Sequence, residues 1–290
     1  MDIDNCISQL RRGELLPDHT ILELCFFSKS LLSREPNVLT LKSPVTVCGN
    51  IQGQFHDLLN IFSLGGFPPS TQYLFLGNYV GKGIYNVEVV SLLLLFKLKY
   101  PDKIHLIRGN FDTMMLSQLY GFYDECIRKY GSPRVWTLFT DVFNYLPVTA
   151  VINETMFCVH AGISQHLRTI DQISFCISRN CEITSESLMA DLVWSDPNEN
   201  IEYIASNNKG AGHYFGEKLV DIFCHVNNLN IITRAHQIQM EGFQFVFNKK
   251  VVTLWSAPNY GGRCGNLAAI MKVDEHTNKD FIVFGELENN

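Results

Sequence analysis

Three short runs decide how this chain is read: Val45-Thr46-Val47-Cys48 leading into Gly49-Asn50, Tyr73-Leu74-Phe75-Leu76 into Gly77-Asn78, and Ile104-His105-Leu106-Ile107-Arg108 into Gly109-Asn110. Each is a β-branched or apolar stretch that ends in a small residue beside a polar one. The Gly-Asn pairs lie 28 and 32 residues apart, the length of a strand, a crossover helix and a return strand. Helical patterns over Phe55–Phe62 and Asn86–Lys99 fill the intervals. Later runs end similarly, at Met156–His160, at Ile231–His236, and at Val251–Ser256 followed by Ala257-Pro258-Asn259-Tyr260. The pattern predicts an α/β fold whose strand ends present Asn50, Asn78, Asn110, His160, His236 and Asn259-Tyr260 to one crevice, the place where open α/β sheets bind ligands. Any one Gly-Asn pair is an ordinary turn, and a lone His after a strand is more often structural. Repetition at crossover spacing weakens that reading. Four neutral ligand types, Asn78, Asn110, His160 and His236, suggest a weak transition-metal site or a phosphate pocket, and no P-loop, GxGxxG, HExxH or EF-hand pattern competes.

Outward from these runs, 290 residues at 46% hydrophobic and 18% charged suit one large domain over 1–290, with a helical N-terminal flank at 1–42. In that flank, Asp18 or Thr20 caps a predicted helix through Ile21, Leu24, Cys25 and Leu31. A net charge of -6 without like-charge blocks argues against a nucleic-acid surface. The longest apolar run, Val89–Phe96, is far shorter than the roughly 20 residues of a membrane span, so no membrane association is expected. An acidic start without an apolar h-region shows no secretory signal, and nine cysteines without a CxxC read as buried free thiols. Cytosol or nucleus is the expected compartment.

Read as strings, the strand ends resemble motifs of the phosphoprotein phosphatase family of metallophosphoesterases, in its type 2A branch and nearest its phosphatase-four group of catalytic subunits. GNIQGQFHDLL (49–59) resembles GDxHGQxxDLL, FLGNYVGKG (75–83) resembles F(L/M)GDxVDRG, and LIRGNFDT (106–113) resembles LxRGNHES. YGFYDEC (120–126), VHAGIS (159–164), DLVWSDP (191–197), KGAGHYFG (209–216), RAHQIQMEGF (234–243) and TLWSAPNYGGRCGN (253–266) follow in family order. The resemblance implies a central β-sandwich flanked by helices, with the phosphoesterase core at 43–285. It also implies two divalent cations (Mn, Fe or Zn), a bridging hydroxide that attacks phosphorus, two arginines that clamp phosphate, and a histidine that protonates the leaving oxygen. Two close cations suit that chemistry because they stabilise the attacking and leaving oxygens together.

The chain departs from the family where the chemistry lies. The metal-ligand positions read Asn50, Gln52, Asn78, Asn110, His160 and His236, and the first three replace Asp, His and Asp. The proton-donor position is Phe111, its aspartate partner is Gly81, and the arginine positions are Lys82 and Lys209. Tyr260 matches a family residue at the substrate cleft. Asp112, beside Phe111, is the one carboxylic acid adjacent to the proton-donor position. Loss of outer-shell support alone costs about 10- to 100-fold in metal affinity or activity, so three changed ligands should leave at most one weakly bound cation. A missing proton donor removes a further factor of about 10² to 10⁴. Lysine keeps charge but not the bidentate fork. The expectation is a pseudophosphatase that binds scaffold or regulatory phosphatase subunits or phosphoproteins. The alternatives are a residual metal-dependent phosphoserine/phosphothreonine hydrolase and a subunit that competes with an active relative for shared scaffolds. The GELENN ending (285–290) lacks the family's carboxyl-methylated aromatic-Leu tail, so methylation-dependent assembly is not expected.

Overall fold

A computed structural model describes residues 1–287, so the last residues of the GELENN ending lie outside it. The chain opens with α1 (Ile3–Arg11) and α2 (Asp18–Leu32), then β1 (Val38–Leu41), β2 (Val45–Cys48), α3 (Phe55–Gly65), β3 (Tyr73–Phe75), α4 (Asn86–Lys99) and β4 (Ile104–Leu106). Helices α5 (Met114–Leu119), α6 (Phe122–Tyr130) and α7 (Arg134–Phe143) lead to β5 (Thr149–Ile152) and β6 (Met156–Val159). Next come α8 (Asp171–Cys176), α9 (Leu188–Trp194), β7 (Asp196–Pro197), β8 (Ile204–Ser206), β9 (His213–Phe215) and α10 (Glu217–Val226). The chain closes with β10 (Ile231–Arg234), β11 (Glu241–Val246), β12 (Val251–Leu254), β13 (Leu267–Val273) and β14 (Lys279–Phe284).

Eleven strands form one curled sheet in the order β1-β5-β6-β10-β12-β11-β13-β2-β3-β4, with β14 on β13. The fold back occurs at β11, which pairs antiparallel with β12 and parallel with β13. The two halves therefore face each other as a sandwich, and Leu39, Val47, Leu74, Cys158, Val252 and Met271 from both share one core. Helices α1–α7 cover one outer face, and α8–α10 cover the other. Strands β2, β3 and β4 run parallel, buried on both faces, which is why they read as continuous apolar runs. Helix α4 is apolar nearly all round because α1, α2, α3 and α6 enclose it against the sheet. The halves approach closely at Gly49, where a Cβ would lie 2.3 Å from the Leu254 carbonyl oxygen. Only glycine fits there.

The helical flank at 1–42 requires a correction. Helix α2 forms, but it begins at Asp18 with Pro17 at its N-cap and no side-chain capping bond, so neither Asp18 nor Thr20 caps it; and Val38–Leu41 is the edge strand β1, paired in parallel with β5. A four-residue strand whose partner lies more than a hundred residues away carries no periodic signal of its own, and a boundary at 42 separates it from its sheet. Six of the nine cysteines are buried, whereas Cys176, Cys181 and Cys264 are exposed; all nine are free thiols.

Candidate active site

Strands β2, β3 and β4 of one half and β6, β10 and β12 of the other end on one rim, and the expected residues meet there. The loops after β3 and β4 are clasped by Asp112. Its carboxylate accepts backbone N–H bonds from Asn78 (2.7 Å), Tyr79 (3.0 Å) and Gly109 (2.8 Å). Burial pushes its pKa up to about 6, against the pull of those N–H groups and of Arg108. Asp112 is fully buried and turned away from the crevice, so it holds the loops and offers no acid to a substrate. Gln52, Asn78 and His236 all sit at positive φ (58°, 57° and 69°), left-handed turns that swing their side chains inward at a cost of about 1 kcal/mol or more each.

Asn50, Gln52, Asn78, Asn110 and His160 are all buried. Asn50 Oδ1 accepts the His236 backbone N–H at 3.1 Å, tying one half of the sandwich to the other. Asn78 Oδ1 accepts the Phe111 N–H at 2.9 Å, and Asn78 Nδ2 donates to Asn110 Oδ1 at 2.9 Å. His160 Nδ1 donates to the Leu76 carbonyl at 2.6 Å, leaving Nε2 as a lone pair 3.1 Å from Asn110 Oδ1. The Lys209 ammonium donates to His236 Nε2 at 3.0 Å and also bonds Asp196 Oδ2. Asp196 is fully buried and accepts from Arg234 Nη2 at 2.8 Å. Two further buried atoms, Asn50 Nδ2 and His236 Nδ1, have no partner.

The remaining positions form the outer wall. Lys82 is exposed and lies over the rings of Tyr260 (5.2 Å) and Tyr120 (6.0 Å), while Phe111 packs on Tyr120 at 4.6 Å. An apolar ring thus stands at the proton-donor position. Tyr260 OH donates to Gln52 Oε1 at 3.3 Å. A Cβ on Gly81 would lie 1.7 Å from that same Gln52 oxygen, so the longer amide at 52 occupies the space a side chain at 81 would need. The two substitutions are sterically coupled. Sequence reasoning quoted DLVWSDP without assigning Asp196, and it did not pair Tyr120 with Lys82. Ser195-Asp196-Pro197, ending the short apolar run Leu192–Trp194, was the available signal.

The donor chemistry tests whether these residues suit a pair of divalent cations. No carboxylate stands where one would bridge them, Asn50 turns an unpartnered amide N–H toward the buried interior, and Gln52 Oε1 and Asn78 Oδ1 already accept protein hydrogen bonds. Hard cations need anionic oxygens for affinity, and the nearest charged group to His236 Nε2 is an ammonium. This set does not fit a bridged metal pair. Among the described residues, no cluster of three or more His, Cys, Asp or Glu side chains has metal-binding geometry.

Burial sets the charge state of both histidines, holding His160 at about 3 and His236 well below its ordinary value. The unfolded chain takes protons below about 6.5 that these folded histidines refuse, so stability falls with acidification. Each contributes about 1.4 kcal/mol per pH unit, and Asp112 opposes one of them below pH 6 because its folded form keeps a proton the unfolded chain releases. In chelator, the unfolding free energy should therefore drop by about 1.4 kcal/mol per unit between roughly pH 6 and 4 on account of these groups. Urea titrations of native protein and of a His160→Gln variant check this. A His160→Gln profile with the same slope as native would refute it.

The comparisons agree with the fold. Residues 43–240 match the model of the calcineurin-like phosphoesterase family, whose members generally use divalent metals. A protein serine/threonine phosphatase from Saccharomyces cerevisiae with similarity to human phosphatase PP5 superposes with a TM-score of 0.92 at 29% identity, covering 99% of this chain and 97% of that one. The cold-active protein-tyrosine phosphatase of a psychrophilic Shewanella species superposes at 0.62 with 15% identity over 87% of this chain and 84% of its own, a likeness of fold alone. A family match over two thirds of the sequence, on a sandwich whose strand ends gather the expected positions, means that this chain belongs to the calcineurin-like phosphoesterase family.

Proposed function

We propose that this chain keeps a serine/threonine phosphatase fold for binding and hydrolyses phosphate esters little or not at all, as a pseudophosphatase of the type 2A and phosphatase-four branch. The observation that carries this reading is the ammonium of Lys209 on His236 Nε2, among amide side chains already hydrogen-bonded to one another. Lys82 and Lys209 keep positive charge at the rim, which suits a phosphorylated ligand held without turnover. Scaffold or regulatory phosphatase subunits and phosphoproteins are the partners this reading implies, in cytosol or nucleus.

A second reading, a residual one-cation hydrolase, rests on the lone pairs of Asn110 Oδ1 and His160 Nε2, which lie 3.1 Å apart. Elemental analysis after gel filtration separates the two. The expected result is well under one Mn, Fe or Zn per chain and no phosphoserine-peptide hydrolysis in millimolar Mn²⁺. A tightly held cation, with turnover that His160→Ala abolishes, would establish the second reading instead.

A further inference from the structure

Glu125, in the YGFYDEC run (120–126), lies on α6 behind the rim and is buried. Its hydrogen-bond partners all donate: the Asn86 N–H (3.0 Å), the Asn86 side-chain amide (2.7 Å), the Val87 N–H (3.0 Å) and the Lys129 ammonium (2.7 Å). It is therefore a carboxylate that satisfies the first N–H groups of α4 and sits at that helix's positive end. Asn86 is buried beside it, and its amide bonds the two glycines that flank Lys82. Oδ1 accepts the Gly81 N–H at 2.7 Å, and Nδ2 donates to the Gly83 carbonyl at 2.8 Å. Glu125 takes the other Nδ2 hydrogen, which fixes the orientation of the amide. Glycine at 53 makes the room, since a Cβ there would lie 2.3 Å from Asn86 Oδ1. From the other side, the Gly83 N–H donates to the Gln52 carbonyl at 2.8 Å. Of these three loop residues Lys82 alone is exposed. Its ammonium lies over the Tyr260 and Tyr120 rings, and no carboxylate among the described residues pairs with it. Ordering a loop with glycine on both sides is entropically costly, and what the ordered loop presents is a cation without an anionic partner.

We infer, resting on the binding role proposed above, that Asn86 and Glu125 are positioning residues for Lys82. They fix its backbone, Tyr120 and Tyr260 steady its side chain, and the ammonium held in this way receives the phosphate of a phosphorylated ligand. The YGFYDEC run thus supports the rim charge at two points, through Glu125 and through Tyr120.

The test is isothermal titration calorimetry of full-length protein in chelator with a blocked phosphoserine tripeptide. The set comprises the native chain, Lys82→Ala, Asn86→Ser and the variant carrying both changes; serine is too short to reach Gly81 and Gly83 together. Each single change should weaken binding about three- to fivefold, the worth of one exposed charge contact. The double variant should bind no more weakly than Lys82→Ala, because without the ammonium the placement of the loop no longer matters. A merely structural Asn86 would cost the same in both backgrounds. Tyr120→Leu, at an exposed ring, should show the same dependence on Lys82 at about two- to fivefold, and it serves if Asn86→Ser does not fold. Losses that add in the double variant, or Lys82-dependent binding that neither Asn86→Ser nor Tyr120→Leu weakens, would overturn the inference and leave the binding role standing. Binding that Lys82→Ala leaves unchanged, or no binding at all, would overturn both.

Discussion

A variant carrying Asn50→Asp, Gln52→His, Asn78→Asp, Gly81→Asp, Lys82→Arg, Phe111→His and Lys209→Arg should hydrolyse a phosphoserine peptide in millimolar Mn²⁺ at least about a thousandfold faster than the native chain. The size of the gain follows from what is restored. A positioned proton donor alone is worth about 10² to 10⁴, and two anionic ligands would again make the site attractive to hard cations. The second-position residues need no change, because Asn110 Oδ1 and His160 Nε2 already converge. The order of repair is itself predicted. Gly81→Asp introduced alone should destabilise the fold, since its Cβ would meet Gln52 Oε1 at 1.7 Å; with Gln52→His it should be tolerated, because the shorter ring vacates that space. A double-mutant cycle on thermal stability reads this coupling, and contacting residues typically show about 0.5–3 kcal/mol of it. If native and repaired proteins turn over equally, the metal argument fails. If neither does, and both fold, residues outside these seven positions also block turnover.

The sequence made the rim legible for a physical reason. Strands buried on both faces must be apolar throughout, so β2, β3, β4, β6, β10 and β12 stand out as runs, and a run has to end where its backbone turns out of the sheet. Asn50, Asn78, Asn110, His160 and His236 follow directly from those ends. What stayed hidden was set by distance in sequence. Strand β1 depends on β5 for its existence, and the curl of the sheet depends on β11 pairing with both β12 and β13. The Gln52–Gly81 complementarity is equally invisible, because each substitution alone looks like the loss of a functional group, and only the space between them shows one filling the void of the other. Asp112 illustrates the opposite error. Its place beside Phe111 suggested an acid near the chemistry, yet a carboxylate that accepts three backbone N–H groups is committed to holding loops.

Removing Asp196 should have the largest effect on stability of any single change at the site. Its carboxylate is fully buried and joins Arg234, also fully buried, to the Lys209 ammonium. Arg234 keeps bonds to the Ala161 carbonyl, to Gln237 Oε1 at 2.8 Å and to Thr253 Oγ1 at 3.1 Å, but all of these partners are neutral. Asp196→Ala therefore leaves a guanidinium charge uncompensated in the interior, and breaking a buried pair from one side costs about 3–5 kcal/mol. For a chain of this size that is a drop of roughly 6–15 °C in Tm. Asp196→Asn should lose nearly as much, since an amide keeps the shape without the charge, whereas Asp196→Ala with Arg234→Met removes both charges and should recover most of the loss. Differential scanning calorimetry of the set decides between charge and shape. A loss under about 1 kcal/mol for Asp196→Ala would mean the neutral bonds suffice. The same variant tests how Lys209 is held, because without Asp196 its ammonium has only the neutral His236 ring to bind and should return to solvent.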